Sequence, residues 1–218
     1  MKKQYYSNLS PSERIPKIIA EYIFPELEKI GFKMLKSGLS IKRDKNEFIQ
    51  EIWFSKSKWN YGTVICEIEP HFTVTAKKYK RWHKSFYERD LLSDVVLSDS
   101  AKYVDGWDLK SLDGNMYDFA KFDNDELIDL LLRNIFAYGL KYLDSLSDID
   151  SLTDYLIKEE RYFKAPMMID FQLMQHDYQK AKMISDWFWD YKNKSDDDFL
   201  DSTIEEMTER KRIINNLA

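Results

Sequence analysis

Glu67, Glu69 and His71 stand two residues apart on the run from Tyr61 to Thr75. On an extended strand this spacing puts all three on one face, roughly 6.5–7 Å apart from one to the next. Two carboxylates and an imidazole can hold a divalent cation or share acid–base work, so these residues are the candidate metal ligands of a metal-dependent hydrolase. Pro70 interrupts the row; it favours an edge or a bulge and would turn His71 aside. The polar outer face of an ordinary antiparallel strand accounts for the same three residues and carries the greater weight.

The row leads into the densest positive charge of the chain. Lys77, Lys78, Lys80, Arg81 and Lys84 interleave with Tyr79 and Trp82, the mixture of charge and stacking groups that single-strand binders use. Lys77, Lys78, Lys80, Arg81, Trp82 and Lys84 are therefore candidate nucleic-acid contacts. Against this, the chain carries a net charge of −5, whereas nucleic-acid-binding domains carry a basic excess. A solvated strand end or loop, paired with acidic helices, is the simpler expectation. Asp108 and Lys110 make an Asp-x-Lys pair of the kind some nucleases use, but in turn-like text, where a short motif counts as chance. Cys66 falls in an apolar alternation and reads as a small core residue. Trp187 to Trp189 reads as core with one edge contact. The chain has no P-loop, GxGxxG, GxSxG or HExxH pattern, and no cofactor or small-molecule ligand is expected.

The elements that must carry these residues follow from periodicity. Ile15, Ile18, Ile19, Tyr22, Ile23, Leu27 and Ile30 form a helical stripe, with Pro25 inside it as a kink or restart and Gly31 as its cap. Four period-two segments follow between residues 32 and 75, joined by turns at Lys36 to Gly38, Asp44 to Asn46 and Asn60 to Gly62. In the last of them Val64, Cys66 and Ile68 point inward and Ile65, Glu67 and Glu69 outward. Residues 90–97 are expected to form a short helix. Asp123 and Glu126 have capping-box spacing ahead of a largely buried helix through Leu140. Further helices are predicted around Leu152 to Leu156, Met167 to Met174, Tyr178 to Tyr191 and residues 200–216. The fold class is α+β: an N-terminal helix on a four-stranded antiparallel meander, then a mainly helical C-terminal half. The expected regions are residues 1–84 and 85–218, packed as one compact unit.

One resemblance accompanies this pattern. The run from Phe24 to Lys33 (FPELEKIGFK), the Arg43 strand and the strand from Phe48 to Lys56 (FIQEIWFSK) resemble the bacterial family called domain of unknown function 4304. The likeness covers about residues 15–80. It implies an α+β fold and carries no catalytic residues over.

Composition narrows the class. With 44% hydrophobic and 15% aromatic residues, the 218-residue chain is a folded globular protein. One cysteine excludes an internal disulfide and fits a reducing compartment. Met1 to Ser7 has charge but no apolar core behind it, and no 18-residue apolar window occurs, so the expectation is a cytoplasmic protein without a membrane partner. Residues 1–90 hold 18 basic and 11 acidic residues; the remainder hold 15 and 27. These features favour a non-catalytic protein-interaction or regulatory module, of the immunity type, in a bacterial cell. The metal-dependent hydrolase and weak nucleic-acid binding are the alternatives.

Overall fold

The computed structural model describes residues 2–108, 116–195 and 200–217, with the backbone alone for Ser202. Contacts divide the chain into two compact units: Met1–Lys77 with Val95–Ser145, and Lys78–Asp94 with Leu146–Ala218. Both units are discontinuous. The expected boundary at residues 84 and 85 is replaced by this interleaving, because the chain returns at residue 95 to add a strand to the first sheet.

In the first unit the apolar stripe becomes α1 (Pro11–Ile18), a π-helical turn (Ile19–Ile23) and α2 (Phe24–Glu28). Pro25 has no N–H to give the Glu21 carbonyl, and the helix widens ahead of it: Phe24 N–H donates to Ile19 O, five residues back. Gly31 ends the helix at φ +88°, as its cap role predicts. Ile15, Ile18, Ile19, Ile23 and Leu27 are fully buried, while Ile30 is exposed.

The sheet runs in the order β1 (Lys33–Met34), β2 (Ser40–Lys45), β3 (Phe48–Lys56), β4 (Glu67–Ala76) and β5 (Val95–Ser100), every pair antiparallel. β6 (Tyr117–Asp118) lies against the start of β4. The predicted four-stranded meander is β1 to β4, and two later strands extend it. β5 overturns the helix expected at residues 90–97. β-branched Val95 and Val96 favour the extended state, and pairing with β4 fixes it. A bulge opposite Val74 and Thr75 absorbs Val96.

β4 also starts later than expected. Tyr61 and Ile65 pair as an isolated bridge, and Val64 N–H donates to Tyr61 O (3.1 Å), so residues 61–65 close a tight tip instead of extending the strand. Val64, expected inward, is 69% exposed for that reason, whereas Cys66 and Ile68 are fully buried.

A helix pair backs the inner face: α4 (Asn124–Asn134) and α5 (Leu140–Ser145), joined by a second π-helical turn (Ile135–Gly139). Asp123 caps α4 by accepting the N–H groups of Asp125 and Glu126, as its spacing predicts. Gly139 lies where a Cβ would come within 2.4 Å of the Phe72 ring; no side chain fits there. Gln50, buried in β3, donates to Leu143 O and accepts from Arg43 Nε, and Arg43 pairs with Asp144. Arg14, also buried, donates to the Tyr5 and Phe119 carbonyls and to the Gln4 and Asn124 side chains.

The second unit is helical: α3 (Tyr79–Tyr87), α6 (Ile149–Lys158), α7 (Ala165–Met174), α8 (Tyr178–Lys192) and α9 (Asp201–Leu217). α7 is buried from Ala165 to Leu173, and α8 and α9 pack on it. Among the described residues, no helix is long and apolar enough to cross a membrane.

Candidate functional site

The outer face of the first unit's sheet holds the predicted row. The β3–β4 register sets Ser55 opposite Glu69 and Trp53 opposite His71, and β5 brings Ser100 beside His71 from the other side. Pro70 does not turn His71 aside. It occupies the buried face of β4 between its two neighbours, and Glu69 and His71 emerge together.

Their contacts are specific. His71 Nε2 lies 2.9 Å from Ser55 Oγ and 3.6 Å from Glu69 Oε2. The imidazole stacks on Trp53, centroids 4.4 Å apart at 17°. Glu69 Oε1 accepts from Ser100 Oγ (2.5 Å) and lies 3.5 Å from Lys102 Nζ. Burial holds His71 below its ordinary pKa of 6.5; Glu69 opposes that and Lys102 reinforces it, so the ring is neutral at pH 7.

A neutral imidazole beside a serine hydroxyl has the ingredients of an activated nucleophile. The orientation is wrong for it. Ser55 and Glu69 both approach the same ring nitrogen, Nε2, whereas a relay needs the serine on one nitrogen and the carboxylate on the other. Ser55 Oγ also lies 3.3 Å from Glu69 O. Metal binding fares no better: among the described residues, no group of three His, Cys, Asp or Glu side chains is placed to hold an ion. Glu69 and His71 come together; Glu67 does not complete a triad with them. Its backbone N–H and C=O are instead taken by the Asn60 side chain, at 2.6 and 2.9 Å.

The basic run is divided between the two units. Lys77 ends the first, paired with Asp44 at 3.0 Å and donating to Asn46 O. From Tyr79 the chain is the helix α3, not the strand end or loop expected, because Tyr79, Trp82, His83, Phe86 and Tyr87 recur at helical spacing. Tyr79 and His83 are buried, Lys80, Arg81 and Lys84 point to solvent, and Lys84 pairs with Asp90 at 2.9 Å. Trp82 stacks on Phe86 within its own helix (4.7 Å, 18°). Of the Asp-x-Lys pair, Lys110 lies outside the described residues. Cys66 is a buried free thiol, pushed up to about pKa 11 by burial, so it is no nucleophile. In α8 Phe188 is core, and Trp187 stacks on Tyr162 at 4.3 Å.

One fully buried carboxylate was not among the candidates. In the second unit Asp170, fully buried on α7, accepts from Arg210 Nε (2.9 Å) and Nη2 (2.7 Å), from Tyr79 Oη (2.7 Å) and from Tyr87 Oη (2.6 Å). Burial, then Asp170, drives both tyrosine pKa values up. Burial alone would lower that of Arg210, but Asp170 outweighs it and the net shift is upward. The legible signal was one charged residue in a helix whose only other polar side chain is Gln172, and one arginine between Met207 and Ile214 on the apolar stripe of α9.

A helix-backed antiparallel sheet with a self-paired polar cluster on its outer face is what these residues define. No protein-family model, curated protein or solved structure matches the chain.

Proposed function

We propose that the chain is a non-catalytic protein-binding module, of the regulatory or immunity type, and that the β3–β4 hairpin tip is its contact surface. One observation carries this reading: Trp59, Tyr61 and Val64 are 69%, 76% and 69% exposed within six residues. Aromatic side chains gathered on one exposed loop are the groups from which interface hot spots are made.

The loop is also held in place. Asn60 clamps both backbone groups of Glu67, Asn60 N–H donates to Ser57 O (3.2 Å), and Trp59 N–H donates to Ser57 Oγ (3.2 Å). A tip ordered before binding loses little conformational entropy on association. The self-paired cluster around His71 supports a scaffold over a catalyst.

Truncating a hot-spot aromatic costs about 2 kcal/mol or more, ~30-fold in affinity. The test is capture from a bacterial lysate with the wild-type chain and with a Trp59→Ser, Tyr61→Ser double variant. A partner retained stoichiometrically by the first and lost by the second, at unchanged melting temperature, is the expected result. Equal retention by both, or no specific partner, refutes the reading.

A further inference from the structure

The first unit has a groove of about 580 Å³ between its N-terminal helix and α4. Tyr22, Ile128, Leu132 and Phe136 give it an apolar floor, and Glu26, Asp125 and Asp129 stand around that floor with Arg133. We infer that this groove takes a cationic amphipathic helix, about three turns long, from another protein.

Length follows from the wall. From Asp125 to Phe136 the lining residues of α4 and its π turn recur every three or four positions. At 1.5 Å per residue they span about 16 Å, three helical turns. Two helices bordering a furrow accept a third by the ridge-and-groove packing of any helix pair.

The aromatic members come from unusual backbone. Tyr22 lies in the first π-helical turn and Phe136 in the second. A π turn holds one residue more than an α turn and shifts the phase of the helix beyond it, and such turns gather at functional sites. Phe136 is 40% exposed, and Tyr22 stacks on Tyr5 (4.2 Å, 16°), which fixes that side of the floor.

Charge selects the occupant. Residues 21–29 and 123–136 contain seven carboxylates against Lys29 and Arg133 alone. Lys29 is spent on Glu26 (2.6 Å), and Asp125 is bound by Lys3 and Tyr5, which leaves the two walls with seven carboxylates against three cations. A helix with an apolar stripe flanked by lysine or arginine matches floor and rim together. A second copy of a chain with net charge −5 matches less well. The groove is built from other elements than the hairpin tip and does not depend on it.

The probe is a displayed library of 14-residue helical peptides, selected on the wild-type chain. Enriched sequences are expected to carry leucine or isoleucine at i, i+3 or i+4, and i+7, with lysine or arginine beside them. A synthetic peptide of that consensus should weaken steeply with salt. It should lose at least tenfold in affinity with Asp129→Lys and with Phe136→Ala, both surface changes that leave circular dichroism and melting intact. The hairpin double variant should bind it like wild type, which separates this site from the one proposed above. Enrichment of acidic or extended peptides, or binders indifferent to Asp129→Lys and Phe136→Ala, overturns the inference. So does sedimentation showing that the chain self-associates through this face and that Asp129→Lys disperses it.

Discussion

Two carboxylates in this molecule, Asp170 and Glu69, have comparable partners and opposite degrees of closure. Asp170 is fully buried, and four donors from Arg210, Tyr79 and Tyr87 saturate it. Glu69 keeps 20% of its side-chain surface in solvent and His71 keeps 19%, and their mutual distance of 3.6 Å is too long for a good hydrogen bond. A saturated, dry carboxylate has nothing left to offer a ligand. It fixes one packing of α3, α7 and α9, and its worth is structural. The half-buried pair leaves slack, and the protonation of His71 answers to the solvent.

The largest effect separating the two is Asp170→Ala. It strands the Arg210 guanidinium in the interior, and about 3–5 kcal/mol of stability should go, read as a fall in urea midpoint. Asp170→Leu combined with Arg210→Met should cost less than Asp170→Ala alone, since no charge is then isolated. If the double variant is the worse of the two, an unpaired charge is not the source of the loss. Next comes Tyr87→Phe, which removes one donor and keeps the ring over Arg210; about 1–2 kcal/mol is expected by the same measurement.

At the open cluster the expected signature is pH dependence. The folded-state pKa of His71 lies below its unfolded value near 6.5, so the unfolded chain binds the extra proton first as pH falls. The stability attached to neutral His71 is present in full above pH 6.5. It declines as pH drops from there through the folded value. His71→Gln should flatten this part of the stability–pH curve, and a ring proton titrating at or above 6.5 in NMR contradicts the assignment. Smallest is Lys102→Met. Removing a cation that disfavours the imidazolium should move the His71 titration upward by a few tenths of a unit, with no measurable change in midpoint.

Much of the fold was readable from short-range rules. The stripe from Ile15 to Leu27, Gly31 as a cap, Asp123 as a cap and the β1–β4 meander all follow from periodicity and end chemistry. What escaped depends on partners distant in sequence. β5 looked helical because Leu91, Leu92, Val95 and Val96 fall at helical spacing, and pairing with β4 decides otherwise. The candidate site was half legible. Glu69 and His71 share a face as their spacing requires, but Ser55, Trp53, Ser100 and Lys102 join them only through strand register. The β3–β4 register is centred on Gly62, and the loop text alone could not set it. Asp170 and Arg210 stand forty residues apart and look anomalous in their own helices until α7 and α9 are packed together.

The interleaved path of the chain has a consequence for its synthesis. As the polypeptide leaves the ribosome, α3 emerges long before the helices that enclose it. Until α7 is made, the hydroxyls of Tyr79 and Tyr87 have no carboxylate to meet, and until α9 is made that carboxylate has no guanidinium. The second unit therefore completes its charge-balanced centre only when residue 210 is free to fold. A nascent chain arrested after Ser145 should hold a protease-resistant sheet beside a cleavable Lys78–Asp94 segment, and release of the full chain should close both together.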